Sequence, residues 1–173
     1  EVLNDDDLKE RKIKNEEKLE IRERLIKNQE EFKYHKERAN EFLEKVKSEN
    51  KDIIKLCRNI NTEECKQLKS EIRENSQQYL LKMVDAIISH LNALKDKINS
   101  SEELSDEEAD NSIEEIDDLI EKLNGLKTKI NEADTREELS EIRKELKEIL
   151  EDAKEETNYN TEKIRLERIA GII

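Results

Sequence analysis

The stretch LCRNINTEECKQL, residues 56–68, carries both cysteines of the chain and decides how its helices are arranged. The sequence on either side predicts long helices, because it is rich in Glu, Lys, Leu and Ile and contains no proline. If the stretch itself were helical, its cysteines would lie about 12 Å apart along the axis, too far for a disulfide. Its asparagines tolerate turn conformations and Thr62 is a suitable helix N-cap, so we expect the chain to reverse here and bring Cys57 opposite Cys65.

The cysteine pair has several interpretations. A Cys57–Cys65 disulfide that locks the turn is favoured, and two free buried thiols that pack as small hydrophobic groups are the main alternative. A zinc site needs four ligands, whereas this stretch offers two thiolates and has neither histidine close in sequence. The spacing also differs from the C-x-x-C of thioredoxin-type redox sites. A disulfide would favour an exported protein or a protein from a hyperthermophile.

The composition of the chain predicts an all-α protein. Of its 173 residues, 46% are charged, 33% are hydrophobic and 3% are aromatic, and two are glycines. This profile is typical of long helices and coiled coils, and it lacks the turn residues and aromatic strands that sheets require. The net charge of −13 argues against nucleic acid as a partner, because phosphate binding needs a positive face. No apolar run approaches the roughly 18 residues of a membrane span.

Helix start signals and apolar periodicity predict four helices, over residues 3–57, 63–99, 106–131 and 136–168. Ser105 with Glu108, and Thr135 with Glu138, match the capping-box pattern at the start of the last two helices. The short links predict that successive helices are antiparallel. The expected fold is therefore an elongated antiparallel bundle of three to four long helices, with coiled-coil character and a protruding N-terminal helical arm.

The first predicted helix carries an apolar seam. Its residues recur every seven positions, the spacing of a coiled coil, and they are Leu25, Phe32, Ala39, Val46 and Ile53. The seam can be satisfied within the chain or by a second copy. Upstream, apolar residues are sparse among charges, so this part is expected to project into water or to pair loosely with another molecule. We expect residues 1–61 to form this coiled-coil helix and residues 62–173 to form the bundle, joined as one structural unit.

No combination of residues in the sequence indicates a catalytic, cofactor-binding or metal site. The two histidines have no serine, cysteine or carboxylate set placed beside them in sequence, and we expect both on the flank or surface of a helix. A di-iron site in a bundle needs two Glu-x-x-His motifs, but Phe32 stands three residues before His35 and Ile87 three before His90. The acidic stretch SDEEADNS lacks the glycine and ligand register of a calcium-binding EF-hand loop. We therefore predict that the protein binds no cofactor and is not an enzyme.

Several segments carry a resemblance to a known group of proteins. LCRNINTEECKQLKSEIRENSQQYLLKMVDAIISHLNAL, followed by SSEELSDEEA, IEEIDDLIEKL and the closing RIAGII, resembles uncharacterised archaeal α-helical coiled-coil proteins with a predicted cell-surface location. In that group a charged, heptad-like arm leads to a two-cysteine turn and then to a bundle. The resemblance covers about residues 15–173. It implies that this chain is the N-terminal part of a longer protein, and it implies neither an enzymatic activity nor a catalytic residue.

The favoured function is that of a non-enzymatic structural or interaction protein. It would be a rigid helical rod or stalk at the cell surface, acting through helix–helix contacts with a protein partner or a second copy. The alternative is an intracellular helical adaptor or a chaperone-like module that clasps a client. An enzyme would instead require a concave pocket with convergent polar groups. An apolar segment near the end of the sequence is also expected to seek a partner, and its residues are Ile164, Leu166, Ile169, Ile172 and Ile173.

Overall fold

The structure, a computed structural model, describes residues 5–57, 62–101, 104–149 and 151. These residues form four helices: α1 (Asp5–Leu56), α2 (Glu63–Asn99), α3 (Asp106–Glu132) and α4 (residues 136–149). The predicted all-α fold class and the predicted bounds of α2 are confirmed. The predicted end of α4, the apolar segment beyond it and residues 58–61 of the turn lie outside the described residues.

Side-chain caps explain where three of the helices begin. Thr62 Oγ1 accepts a 3.3 Å hydrogen bond from the backbone N–H three residues further on, in the first turn of α2. Ser105 and Glu108 form a reciprocal capping box at the start of α3. At the start of α4, Glu138 N donates to Thr135 Oγ1 at 3.2 Å, and Thr135 N donates to Glu138 Oε2 at 3.1 Å. Each cap satisfies backbone N–H groups that a helix start leaves without a partner, so the predicted start signals are confirmed.

The first two helices form a long antiparallel hairpin. Near its open end, Arg24 and Asn28 of α1 contact Asp96 of α2. Toward the turn, Asn75 Nδ2 of α2 donates a 2.6 Å hydrogen bond to Glu49 Oε1 of α1. The partner numbers fall along α2 as they rise along α1, so the helices run in opposite directions, as their short link predicts.

The third and fourth helices pack back onto this hairpin. Lys127 of α3 pairs with Asp85 of α2, and Gln77 Nε2 of α2 donates to the backbone oxygen of Ile130, so α3 is antiparallel to α2. The chain then reverses again, and Glu145 of α4 returns alongside α3. The described chain is therefore an up-down-up-down helical bundle.

The hydrophobic core lies between α2, α3 and α4. The largest side chains that are fully buried come from α2 and α3, and they are Val84, Leu91, Ile98, Ile116, Leu123, Leu126 and Ile130. The first helix contributes one hydrophobic side chain to the fully buried set among the described residues, Ala39. Coiled-coil packing of α1 therefore stays a prediction, as does the division of the chain at residue 61.

At each end of the hairpin, part of a helix extends past the helix or turn that packs against it. The side chains of residues 15–20 are exposed around the whole circumference of α1, as the predicted projecting arm requires. At the other end, the α3–α4 turn contacts α2 at Arg73 and Gln77, so the first ten residues of α2, 63–72, continue past that turn. Among the described residues, no helix has an apolar stretch long enough to cross a membrane.

Candidate functional site

The cysteine pair closes the turn of the hairpin. Cys57 and Cys65 are joined by a disulfide, and their Cα atoms are 5.7 Å apart. Cys57 follows the last residue of α1, and Cys65 lies buried in the first turn of α2. This is the pairing that the sequence favours, and it fixes the distance between the end of α1 and the start of α2 at the turn.

The predicted seam of α1 lies on the side of the helix that faces α2. Ala39 is fully buried, and the other four seam residues are half-buried. The ring of Phe32 packs against the ring of His90 on α2, with centroids 5.5 Å apart. Val46 and Ile53 line a groove that α2 shares. These seam contacts are made within one chain, whereas a contact with a second copy stays untested.

Polar groups link the hairpin near its open end. Asp96 of α2 is 7% exposed, although it carries a charge. Its Oδ1 accepts a hydrogen bond from Arg24 Nε at 3.2 Å, and its Oδ2 accepts one from Asn28 Nδ2 at 2.8 Å. A buried carboxylate is costly unless it is paired, so this contact favours one particular alignment of α1 along α2.

A second polar cluster joins three helices in the middle of the bundle. The carboxylate of Asp85 lies 2.7 Å from Lys127 Nζ on α3, 3.3 Å from Lys82 Nζ and 3.8 Å from His35 Nδ1 on α1. Burial raises the pKa of Asp85, but the hydrogen bonds and positive charges of Lys127 and Lys82 outweigh burial and hold this pKa below its ordinary value. The Nδ1 atom of His35 is buried and has no hydrogen-bond partner.

The two histidines, which the sequence predicts on the flank or surface of a helix, lie in different surroundings. His35 is half-buried beside Asp85, whereas His90 is exposed and packs on Phe32. Desolvation by this packing and the positive charge of Lys97 lower the pKa of His90. Within the described residues, no group of three or more His, Cys, Asp or Glu side chains converges as a metal site would require.

A groove of about 670 Å³ lies where the disulfide end of the hairpin meets the start of α4. We call it the tip groove. Its apolar lining comes from three helices: Leu43, Val46 and Ile53 on α1, Ile72, Tyr79 and Leu80 on α2, and Leu139 on α4. Because its walls come from three helices, the groove exists only when the hairpin and α4 are packed together.

Basic side chains line the same groove, in a chain whose net charge is −13. They are Lys66, Lys69, Arg73, Arg136 and Arg143. Asp134 is the one carboxylate among the described residues that line it. The guanidinium of Arg73 donates to the backbone oxygen of Asp134 at 3.2 Å through Nη1, whereas its buried Nε has no hydrogen-bond partner. The tip groove therefore combines an apolar floor with a positive rim.

The basic residues of this groove occur at helical spacing in the sequence, although the net charge of the whole chain is negative. Lys66, Lys69 and Arg73 are spaced by three and four residues, and Arg136 and Arg143 by seven, so each set lies on one face of its helix. Helical periodicity places each set on a face, but it cannot say that the two faces meet.

Comparison with known proteins gives this chain no relative from which to transfer a function. No family model, curated protein or solved structure matches it. The resemblance to archaeal cell-surface proteins therefore remains a hypothesis. Two features of the fold bear on function: the α1–α2 hairpin, which the Cys57–Cys65 disulfide staples at its turn, and the tip groove.

Proposed function

We propose that this protein is a non-enzymatic structural or interaction protein, a rigid helical rod at the cell surface that acts through helix–helix contacts. The observation that carries the proposal is the stapled α1–α2 hairpin. The first helix has 52 residues without a break and would span about 78 Å at the rise of an α-helix. A continuous helix that a second helix supports over more than half of its length suits a spacer between other components.

The Cys57–Cys65 disulfide supports both the rigidity of the proposed rod and its proposed location at the cell surface. A disulfide at the turn holds the ends of α1 and α2 together without a large core at that end. Disulfides persist in oxidising surroundings, which favours an exported protein. The side chains of α1 at residues 15–20 are exposed and mostly polar, so another molecule can reach this part of the rod.

The test of this proposal uses the protein isolated from its native source. Intact cells are treated with a membrane-impermeant amine reagent, and the protein is then alkylated under non-reducing conditions and weighed by mass spectrometry. A surface rod should be labelled before lysis, and Cys57 and Cys65 should resist alkylation until they are reduced. Label that appears only after lysis, together with two alkylated thiols, would contradict the surface location and favour an intracellular adaptor.

The elongated shape of the proposed rod can be tested separately, by its radius of gyration. A compact protein of 173 residues has a radius of gyration of about 16 Å. Small-angle X-ray scattering of the monomer should give a clearly larger radius and a maximum dimension near the length of α1. A radius close to that of a compact protein would contradict the rod.

The adaptor alternative is favoured by one observation, the tip groove. A rod needs no groove of about 670 Å³ with an apolar floor, whereas a binding module does. The two functions are compatible in one molecule if the rod carries its binding site at the stapled end.

A further inference from the structure

We propose that the tip groove binds an acidic amphipathic helix of a partner protein. The inference rests on the helix–helix mode of contact proposed above, but it does not depend on the cell-surface location. It can therefore hold for an intracellular adaptor, and it can fail while the rod proposal stands.

The shape of the groove matches a helix. Along α2 its lining runs from Lys66 to Leu80, a distance of about 21 Å at the rise of an α-helix, or about four turns. Apolar side chains of α1, α2 and α4 form its floor, and Ile53 and Ile72 are half-buried there. A helix with aliphatic residues at three-and-four spacing would cover this floor as α3 covers the middle of α2.

The charge of the groove selects an acidic partner. Lys69 and Arg143 stand on α2 and α4, on two different walls. Lys66 pairs with Glu63 at 3.1 Å, but both side chains are mostly exposed, and such a pair contributes little and exchanges readily. Glutamates along the flanks of a bound helix would meet these cations and could supply an acceptor for Arg73. The negative charge elsewhere on the protein opposes binding only weakly, because physiological salt screens charges beyond about 8 Å.

Other occupants fit the groove less well. A nucleic acid strand would meet the cations but would leave most of the apolar floor uncovered, and Tyr79 is the single aromatic side chain available for stacking among the described lining residues. A second copy could offer the exposed part of its α1, but residues 14–20 there combine two lysines and three glutamates with one apolar residue, Leu19, and so form no regular apolar face with acidic flanks. The groove chemistry therefore favours a partner that is more acidic and more regularly amphipathic than this chain's own arm.

The experiment titrates the full chain with fluorescent synthetic helices of about 20 residues, which are about 30 Å long and so span the whole groove. The acidic probe has leucine at heptad positions a and d and glutamate at e and g. One control replaces the glutamates with lysines, and a second keeps the glutamates but replaces the leucines with serines. The acidic amphipathic probe should bind at least about tenfold more tightly than either control, and raised salt should weaken its binding.

Two double variants locate the binding. Lys69→Glu with Arg143→Glu reverses two groove charges and should weaken binding of the acidic probe by about tenfold or more. Lys27→Glu with Lys147→Glu makes the same change in net charge at exposed positions outside the groove, and it should leave affinity within about twofold. Circular dichroism and thermal melting verify that both variants fold.

Methyl NMR of the unaltered protein gives an independent readout if the groove variant unfolds. Addition of the acidic probe should shift the methyl signals of Ile53, Ile72 and Leu139. The proposal is overturned if no probe binds, if the lysine control binds equally well, or if the shifts map outside the groove. It is also overturned if single-stranded DNA, oleate or a second copy occupies the groove while the acidic probe does not.

Discussion

Asn28 Nδ2 on α1 donates a 2.8 Å hydrogen bond to Oδ2 of Asp96, a buried carboxylate on α2. At the other end of the hairpin, Glu49 on α1 accepts a hydrogen bond from Asn75 on α2. Asn28 and Glu49 are about 32 Å apart along α1 at the rise of an α-helix. A shift of α1 by seven residues, which would keep the apolar seam in register, would break both contacts and move Arg24 and Asn28 away from Asp96. These polar pairs therefore oppose alternative alignments that the apolar seam alone would tolerate.

Removal of the Asp96 carboxylate should therefore destabilise the hairpin. We expect Asp96→Ala to lower the free energy of unfolding by about 1–3 kcal/mol, because Asn28 loses its partner and a well-paired carboxylate is lost. Denaturant unfolding measures the change. Asp118→Ala, at an exposed position of α3, is the matched control and should change stability by less than about 0.5 kcal/mol. In a double-mutant cycle, strict additivity of Asp96→Ala and Asn28→Ala would contradict a direct contact.

Reduction of the disulfide should loosen the turn more than the bundle. The eight-residue separation of Cys57 and Cys65 gives a loop-entropy stabilisation of about 2.5 kcal/mol, and we expect a loss of up to that amount on reduction or in Cys57→Ser with Cys65→Ser. Hydrogen exchange followed by mass spectrometry should show faster exchange at residues 63–72 and unchanged exchange near Leu91. Equal acceleration in both regions would show that the staple stabilises the whole bundle instead.

The sequence predicts local features of this fold well, because those features depend on neighbouring residues. Thr62 and Ser105 are followed by residues that complete a cap, and the structure places a helix start at each. The burial of Ile116 and Leu123 follows from their spacing by seven residues, which puts them on one helix face. In each case the deciding interaction spans only a few positions in the chain.

Contacts between helices were not predictable in the same way. Asp85 meets Lys127 across 42 residues, and His35 approaches Asp85 from a third helix. The tip groove depends on the side of the hairpin to which α4 returns, because Arg143 joins Lys69 only in that arrangement. Periodicity fixes which face of a helix is apolar, but not which helix covers that face or at what height.

The core should be much more sensitive to truncation than the exposed face of α1. We expect Leu123→Ala to cost about 2–4 kcal/mol, because Leu123 is 0% exposed and its removal leaves a cavity. Ile26→Ala, at a position 48% exposed, should cost less than about 1 kcal/mol. Thermal and denaturant unfolding of both variants test this contrast. A large loss for Ile26→Ala would show that this face of α1 is covered in solution, for example by self-association.

The Asp85 cluster should stabilise the bundle at neutral pH and lose that effect in acid. The pKa of Asp85 is below its ordinary value in the folded protein, so the unfolded chain binds more protons over the interval between the two values. Its contribution is thus present above about pH 4, the unfolded pKa, and is lost as pH falls through the folded pKa. We expect Asp85→Asn to cost about 1–2 kcal/mol at pH 7.

The difference in stability between Asp85→Asn and the unaltered protein should begin to shrink below about pH 4, where Asp85 of the unfolded chain becomes protonated, and should be smallest below the folded pKa, where Asp85 is neutral in both states. Unfolding curves over a pH series provide the measurement. Asp117 pairs with Lys95 and is more exposed than Asp85, so it serves as the control. Asp117→Asn should change stability by no more than about 1 kcal/mol at pH 7. A cost for Asp85→Asn that is the same at pH 7 and in strong acid would mean that shape, and not charge, accounts for its effect.

His90 should make stability depend on pH in a different range. Desolvation and Lys97 lower its pKa in the folded state, so between the folded and unfolded values the unfolded chain binds more protons. The stability that neutral His90 contributes is therefore fully present above the pKa of His90 in the unfolded chain, about 6.5. It falls as the pH is lowered toward the pKa of His90 in the folded protein. His90→Gln, which cannot be protonated, should have a flatter stability profile from pH 7.5 to 5 in denaturant unfolding. Lys97→Met removes one cause of the lowered pKa and should have an intermediate profile; identical slopes in all three proteins would show that His90 titrates as it does in the unfolded chain.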